Sequence, residues 1–243
     1  MDIEKWKKLS KEQKENIIKN QQLDIKFIKK IWSELTEDHR DDICLYQDLS
    51  IDFIEQIWNN LTEHQQNEIC WNQKLSMRFI KKIWKKATDR QKSMICEVKR
   101  LPISFIKKIW NNSTERQRDE ICINQKLPID FIEQIWNSLT GYQQDQIFRK
   151  QKLSTKFIET IWPQLNEYQR DDIYRCQKIS AKFIKKVWKE LTDYQRNRVS
   201  LYQDLPIDFI KKIWNSLTEV QKENIKEKDP LIKFIIYSLE KGG

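Results

Sequence analysis

Apolar residues recur along this chain in a block that repeats every 26 residues. Phe-Ile pairs open at Phe27, Phe53, Phe79, Phe105, Phe131, Phe157, Phe183 and Phe209. A tryptophan stands on the same period at Trp6, Trp32, Trp58, Trp84, Trp110, Trp136, Trp162, Trp188 and Trp214. No insertion interrupts either series, and Trp71 alone among the tryptophans is off the ladder. Tandem periods of roughly 20 to 50 residues mark stacked repeat architectures. Counted from Leu23, Leu49, Leu75, Leu101, Leu127, Leu153, Ile179 and Leu205 as position 1, eight repeats cover residues 23–229. Residues 1–22 hold part of a preceding repeat, and residues 230–243 are expected to form a closing helix and tail.

Each repeat reads as two short helices. Positions 5, 6, 9, 10 and 13, as in the run from Ile51 to Leu61, form one wide apolar arc, with mostly charged or amide residues at positions 4, 7, 8 and 11. Ser50, Ser76, Ser154 and Ser180 are N-cap residues for this first helix, and Pro102, Pro128 and Pro206 suit its first turn. Pro163, at position 11, is expected to end or kink its helix early because it lacks an N–H. A capping box then restarts the chain: Thr62 with Gln65, Thr88 with Gln91, Thr114 with Gln117, Thr140 with Gln143, Thr192 with Gln195 and Thr218 with Gln221. The second helix has one strongly apolar position, filled by Ile43, Ile69, Ile95, Ile121, Ile147, Ile173, Val199 and Ile225. So narrow a stripe cannot hold a lone hairpin, and each must stack on its neighbours. The fold class is therefore all-α: an α-solenoid of about nine tandem helical hairpins, capped at both ends. The unbroken phase predicts one continuous core.

The stretches Tyr46-Gln47-Asp48-Leu49-Ser50-Ile51-Asp52-Phe53-Ile54, Asn72-Gln73-Lys74-Leu75-Ser76-Met77-Arg78-Phe79-Ile80 and Cys176-Gln177-Lys178-Ile179-Ser180-Ala181-Lys182-Phe183-Ile184 resemble the Tyr-Gln-Lys-Leu-Ser…Phe-Ile tandem repeats of phage and large-DNA-virus proteins. The likeness recurs in nearly every repeat over about ten of its 26 positions. It implies a viral interaction repeat, with inhibition of a host protein or defence complex as the natural use, and supplies no catalytic residues.

Composition narrows the picture further. Three glycines against ten tryptophans leave little room for phosphate-cradling loops or dinucleotide folds. A formal charge of +9 permits an anionic partner without requiring one. No apolar run approaches the roughly 18 residues of a membrane span, and the start does not read as a signal peptide, so a cytoplasmic protein is expected.

Eight copies in one chain separate positions dictated by the fold from positions free to vary. On the second helix, positions 16 and 23 point away from the buried centre, positions 14, 17, 18, 24 and 25 lie near it, and position 20 is on the flank. The variable triples read Asp38-Asp42-Leu45, His64-Glu68-Trp71, Arg90-Met94-Glu97, Arg116-Glu120-Ile123, Tyr142-Gln146-Arg149, Tyr168-Asp172-Arg175, Tyr194-Arg198-Leu201 and Val220-Asn224-Glu227. Exposed Leu45, Trp71, Ile123 and Leu201 suit protein hot spots. Tyr142, Tyr168 and Tyr194 with Arg149, Arg175 and Arg198 suit a protein or a nucleic-acid strand. The expected function is a binding scaffold that grips a protein through this face. RNA or single-stranded DNA binding by the basic-aromatic half is the alternative.

Candidates for chemistry are weak. Cys44, Cys70, Cys96 and Cys122 share position 22 and read as a ladder of small semi-buried thiols, reduced as in an intracellular protein. His39 takes the capping place held elsewhere by glutamine. No nucleophile elbow, Walker motif or metal signature occurs, so no enzyme activity, metal or cofactor is expected. Lysine pairs such as Lys29-Lys30, Lys81-Lys82 and Lys107-Lys108 read as a solvated outer face. The cations at position 18, from Arg40 to Lys222, read as stems laid along the seams. Glutamine at position 25 should bond open backbone groups between repeats.

Overall fold

The computed structural model describes residues 2–228, which hold α-helices, short 3₁₀ turns and linkers and no strand. The expected closing helix from Pro230 lies outside the described residues. Helical hairpins stack in order within each of two compact units, as an α-solenoid requires. The chain groups into two compact units, Met1–Gln125 and Lys126–Gly243, where the unbroken register predicts one continuous core. The break falls at a repeat boundary, so each unit keeps whole hairpins.

In the first unit, the hairpin Ile3–Lys7 with Lys11–Asn20 precedes four repeats. Their first helices are Ile25–Ile31, Ile51–Ile57, Met77–Trp84 and Ile103–Ile109, and their second helices are Glu37–Tyr46, Glu63–Asn72, Asp89–Val98 and Glu115–Asn124. The second unit repeats the plan with Ile129–Ile135, Thr155–Ile161, Ala181–Val187 and Ile207–Ile213 against Gly141–Lys150, Glu167–Cys176, Asp193–Tyr202 and Glu219–Lys228.

The first helices are shorter than the apolar arc suggests. Outside repeat 3, each stops before its tryptophan, which opens a 3₁₀ turn. In repeat 2 the Leu61 N–H then bonds the Trp58 carbonyl at 3.3 Å. Such tightening satisfies carbonyls that a helix end leaves open. Pro163 is absorbed by this turn, and its helix, Thr155–Ile161, is as long as its counterparts, so the expected early break does not occur. Pro102, Pro128 and Pro206 are N-cap residues in extended conformation rather than first-turn residues. The capping boxes form as expected, joined by Ser10 with Gln13 and Asn166 with Gln169.

Consecutive second helices within each unit pack side by side. Between successive first helices, the tryptophan of one repeat meets the phenylalanine of the next edge to face. Trp32 and Phe53 have ring centroids 5.3 Å apart and planes at 86°, and Trp162 and Phe183 are at 5.2 Å and 88°. Such pairs contribute about 0.5–1.5 kcal/mol beyond the area they bury. The arginine at position 18 lies over the tryptophan of its own repeat: Arg40 over Trp32, Arg118 over Trp110, Arg170 over Trp162 and Arg196 over Trp188 at 5.1–5.9 Å from the ring centroid. Arg118 Nε also donates to the Trp110 carbonyl at 3.2 Å. This row is thus occupied structurally, but within each repeat rather than along the seam between repeats that the sequence suggested.

Position 25 carries the bonds between repeats. Gln73 Oε1 accepts from the Leu49 N–H at 2.9 Å, while its Nε2 donates to the carbonyls of Cys44 at 3.0 Å and Gln47 at 2.8 Å. Gln47, Gln177 and Gln203 make the same three bonds, one to the first residue of their own repeat and two to carbonyls of the repeat before. Repeat 3 breaks the series with Lys99, whose Nζ donates to the Trp71 and Gln73 carbonyls at 3.1 and 2.6 Å but can accept nothing from Leu75. The position-22 cysteines are fully buried rather than semi-buried, and burial pushes each thiol up to about 12. Position 22 thus joins position 21 as core, a broader apolar contribution than the sequence pattern suggests.

Candidate functional site

The second helices put positions 16 and 23 on the face turned away from the first helices. Position 16 is exposed in every described repeat, from Asp38 to Val220, and Tyr168 reaches 86 % exposure. Leu45, Trp71, Arg149, Arg175 and Leu201 at position 23 are also exposed, whereas Ile123 is half-buried and so offers less surface than expected. Position 24, expected near the core, is instead exposed at Tyr46, Val98, Cys176 and Tyr202. Tyr46 and Tyr202 therefore enlarge the apolar surface beside Leu45 and Leu201. Wheel geometry around one buried residue misplaced them, because the neighbouring second helix covers the opposite flank through position 22.

Position 20 is a seam position. It is half-buried in every described repeat except at Asp172, which is buried. There it meets position 23 of the preceding repeat: Lys19 Nζ lies 3.2 Å from Asp42 Oδ2, and Arg149 Nη2 lies 2.7 Å from Asp172 Oδ2. Arg198 pairs with Asp171 at 2.8 Å, donates to the Tyr194 hydroxyl at 2.8 Å, and stands 5.0 and 5.9 Å from the ring centroids of Tyr194 and Tyr202. Two of the three arginines expected to meet an anionic strand are thus bound to carboxylates of adjoining repeats. Arg175 remains exposed.

The first unit holds a recess on this face. It measures about 720 Å³ and opens over the second helices of repeats 2 to 4, walled by Trp71, Arg90, Met94, Glu97 and Arg116, with Asp89, Ser93 and Thr114 around them. Asp89 is held within the fold, accepting from Gln117 Nε2 at 3.2 Å and lying 3.8 Å from Lys92 Nζ. Glu97 lies near Glu120, whose carboxyl is pushed up by burial first and by the Glu97 charge second. The recess therefore combines an indole and a thioether with charges of both signs.

The Thr36 hydroxyl accepts from the His39 N–H as an N-cap, and the His39 Nδ1 lies 2.9 Å from that hydroxyl; the ring thus contacts the cap without closing the reciprocal bond to the Thr36 N–H that glutamine makes elsewhere. The five cysteines are free thiols, and no cluster of three or more His, Cys, Asp or Glu side chains able to hold a metal occurs among the described residues. No described helix is long and apolar enough to cross a membrane. No family model, curated protein or solved structure matches the chain.

Proposed function

We propose that this protein is a non-enzymatic binding scaffold that docks a protein partner on the second-helix face, with the Trp71 recess of the first unit as the principal site. The observation that carries this reading is the composition of that recess. Trp71, Met94, Arg90 and Arg116 converge on it, and tryptophan, methionine and arginine are the residue types enriched where protein partners meet. Together with the viral resemblance of the repeats, the reading makes the partner a host protein held out of action. RNA or single-stranded DNA on repeats 5 to 7 is the second reading, supported by the Tyr142, Tyr168 and Tyr194 row and by Arg175, and weakened by the carboxylates that occupy Arg149 and Arg198.

The test is capture from lysate with and without nuclease, comparing the wild-type chain with Trp71→Ala combined with Arg116→Glu. Retention of a protein that survives nuclease and is lost in the variant supports the assigned face. Equal capture by both chains overturns it. Loss of the captured material on nuclease treatment, together with a steep fall in binding as salt rises, favours the second reading.

A further inference from the structure

A separate cleft lies on the first-helix side of the same unit, between repeats 3 and 4. It encloses about 440 Å³, within the range of roughly 300–1,000 Å³ typical of small-molecule sites. Trp84, Phe105 and Ile109 line its apolar part, and the charged residues lining it are all cations: Lys81, Lys85 and Lys108. Lys81 and Lys85 are one turn apart on neighbouring positions of one helix surface, and Lys108 approaches from the next helix. None of the three has a carboxylate partner among the described residues. The equivalent seams within the two units are different, since each has a carboxylate at or beside these positions: Asp24, Asp52, Glu55, Glu133, Glu159 or Asp208. At the last of these, Lys185 is already bound to Asp208 at 2.7 Å.

The aromatic part of the cleft is also unlike its counterparts. Trp32 and Trp84 are half-exposed, but Trp32 lies under Arg40 at 5.6 Å, whereas no cation lies over Trp84 among the described residues. Phe105 meets the Trp84 ring edge to face at 5.2 Å and fixes its plane. Repeat 3 also lacks the 3₁₀ turn: its helix runs through Trp84, and the N–H of Ala87 bonds back to Ile83 at 2.9 Å. Ser104 and Asn112 add hydrogen-bonding groups at the edge.

We infer that this cleft is a nucleotide site, in which an aromatic base lies against Trp84 and the phosphate groups are held by Lys81, Lys85 and Lys108. An aromatic face and several converging ammonium groups match the two halves of a nucleotide, since stacking is tolerant of base identity and lysine binds phosphate as a point charge. Three cations around one cleft exceed what a single carboxylate would neutralise. The same chemistry is presented by a free nucleotide and by a nucleotide of a single strand. The site is independent of the Trp71 recess, which faces the other way.

The test is calorimetric titration of the full chain at low salt with ATP, inorganic triphosphate, adenosine and decaadenylate RNA. Saturable binding is expected, with inorganic triphosphate and adenosine each about tenfold or more weaker than ATP. Lys85→Glu and Lys108→Glu, which change exposed charges and leave thermal unfolding unaltered, should each weaken binding about tenfold or more. Trp84→Leu should weaken ATP while leaving inorganic triphosphate unchanged, and Trp71→Ala should leave ATP binding intact. Decaadenylate binding much tighter than ATP, with the same dependence on Lys108, identifies the ligand as a strand. ATP binding as tight or tighter identifies a free nucleotide. Failure of both ATP and decaadenylate to saturate, or binding indifferent to Lys108→Glu, overturns the proposal.

Discussion

Arg149 closes two nitrogens on one carboxylate oxygen of Asp172 in the following repeat, Nε at 2.8 Å and Nη2 at 2.7 Å, although Asp172 is only 5 % exposed. Asp145 stands near enough for Asp172 to push its carboxyl up, after the effect of burial. Removing the guanidinium would leave a buried charge beside a second carboxylate. Arg149→Ala should therefore destabilise the second unit by about 1–3 kcal/mol, less than a wholly buried pair because Arg149 is half-exposed. Adding Asp172→Ala should recover part of the loss. Urea unfolding of the single and double variants measures both effects.

The glutamine series predicts opposite outcomes at two equivalent positions. Gln73→Leu strands the Leu49 N–H and two carbonyls, and should cost about 2–4 kcal/mol. Lys99→Gln should instead stabilise the first unit by about 1 kcal/mol, since it restores an acceptor for Leu75 and removes an ammonium whose pKa burial holds low. Thermal unfolding of the two variants, compared with wild type, gives the signs directly.

The tryptophans should separate into two classes under mutation. Trp58 is buried and packs edge to face on Phe79 at 5.2 Å, so Trp58→Ala should cost about 3–5 kcal/mol. Trp71 is 42 % exposed and its indole faces the recess, so Trp71→Ala should cost less than about 1 kcal/mol. Chemical denaturation distinguishes them, and a large loss at Trp71 would assign it to packing.

The buried thiols set the alkaline limit. Cys44, Cys70, Cys96 and Cys122 have pKa values raised to about 12 in the fold from an ordinary 9.0. Above pH 9 the unfolded chain releases these protons while the folded chain keeps them, so stability falls as pH rises from 9 towards 12. Lys228 works against this between about 8 and 10.5, because burial lowers its pKa to about 8 and the folded state ceases to hold a penalised ammonium. Lys99, whose ammonium burial also disfavours, acts in the same sense as Lys228, but four thiols outweigh two amines, and the midpoint of thermal unfolding should drop through this range. Replacing all four cysteines with alanine should flatten the drop. In the native protein, Ellman's reagent should modify exposed Cys176 well before the other four.

The 26-residue phase, the capping boxes and the arc of positions 5, 6, 9, 10 and 13 were legible because each follows from local periodicity and backbone hydrogen bonding. Outward placement of position 16 was legible for the same reason. What escaped was set by the neighbouring repeat: the burial of Cys44 and its counterparts, the exposure of Tyr46 and Tyr202, the half-burial of Ile123 and the occupation of Arg149 and Arg198. A helical wheel places a residue relative to its own helix and says nothing of which flank the next helix covers. The Trp84 cleft escaped because its lysines come from two repeats, and Lys81 and Lys108 each belong to an ordinary-looking solvated pair.

The glutamine bonds all point one way. The amides of Gln47, Gln73, Gln125, Gln177 and Gln203 each donate to two carbonyls of the repeat that precedes them in the chain. The backbone groups they seek are already in place when the glutamine leaves the ribosome, because synthesis runs in the same direction. Every finished hairpin within a unit is thus a ready mould for its successor, and the register of the array is handed forward during translation without waiting for the remainder of the chain.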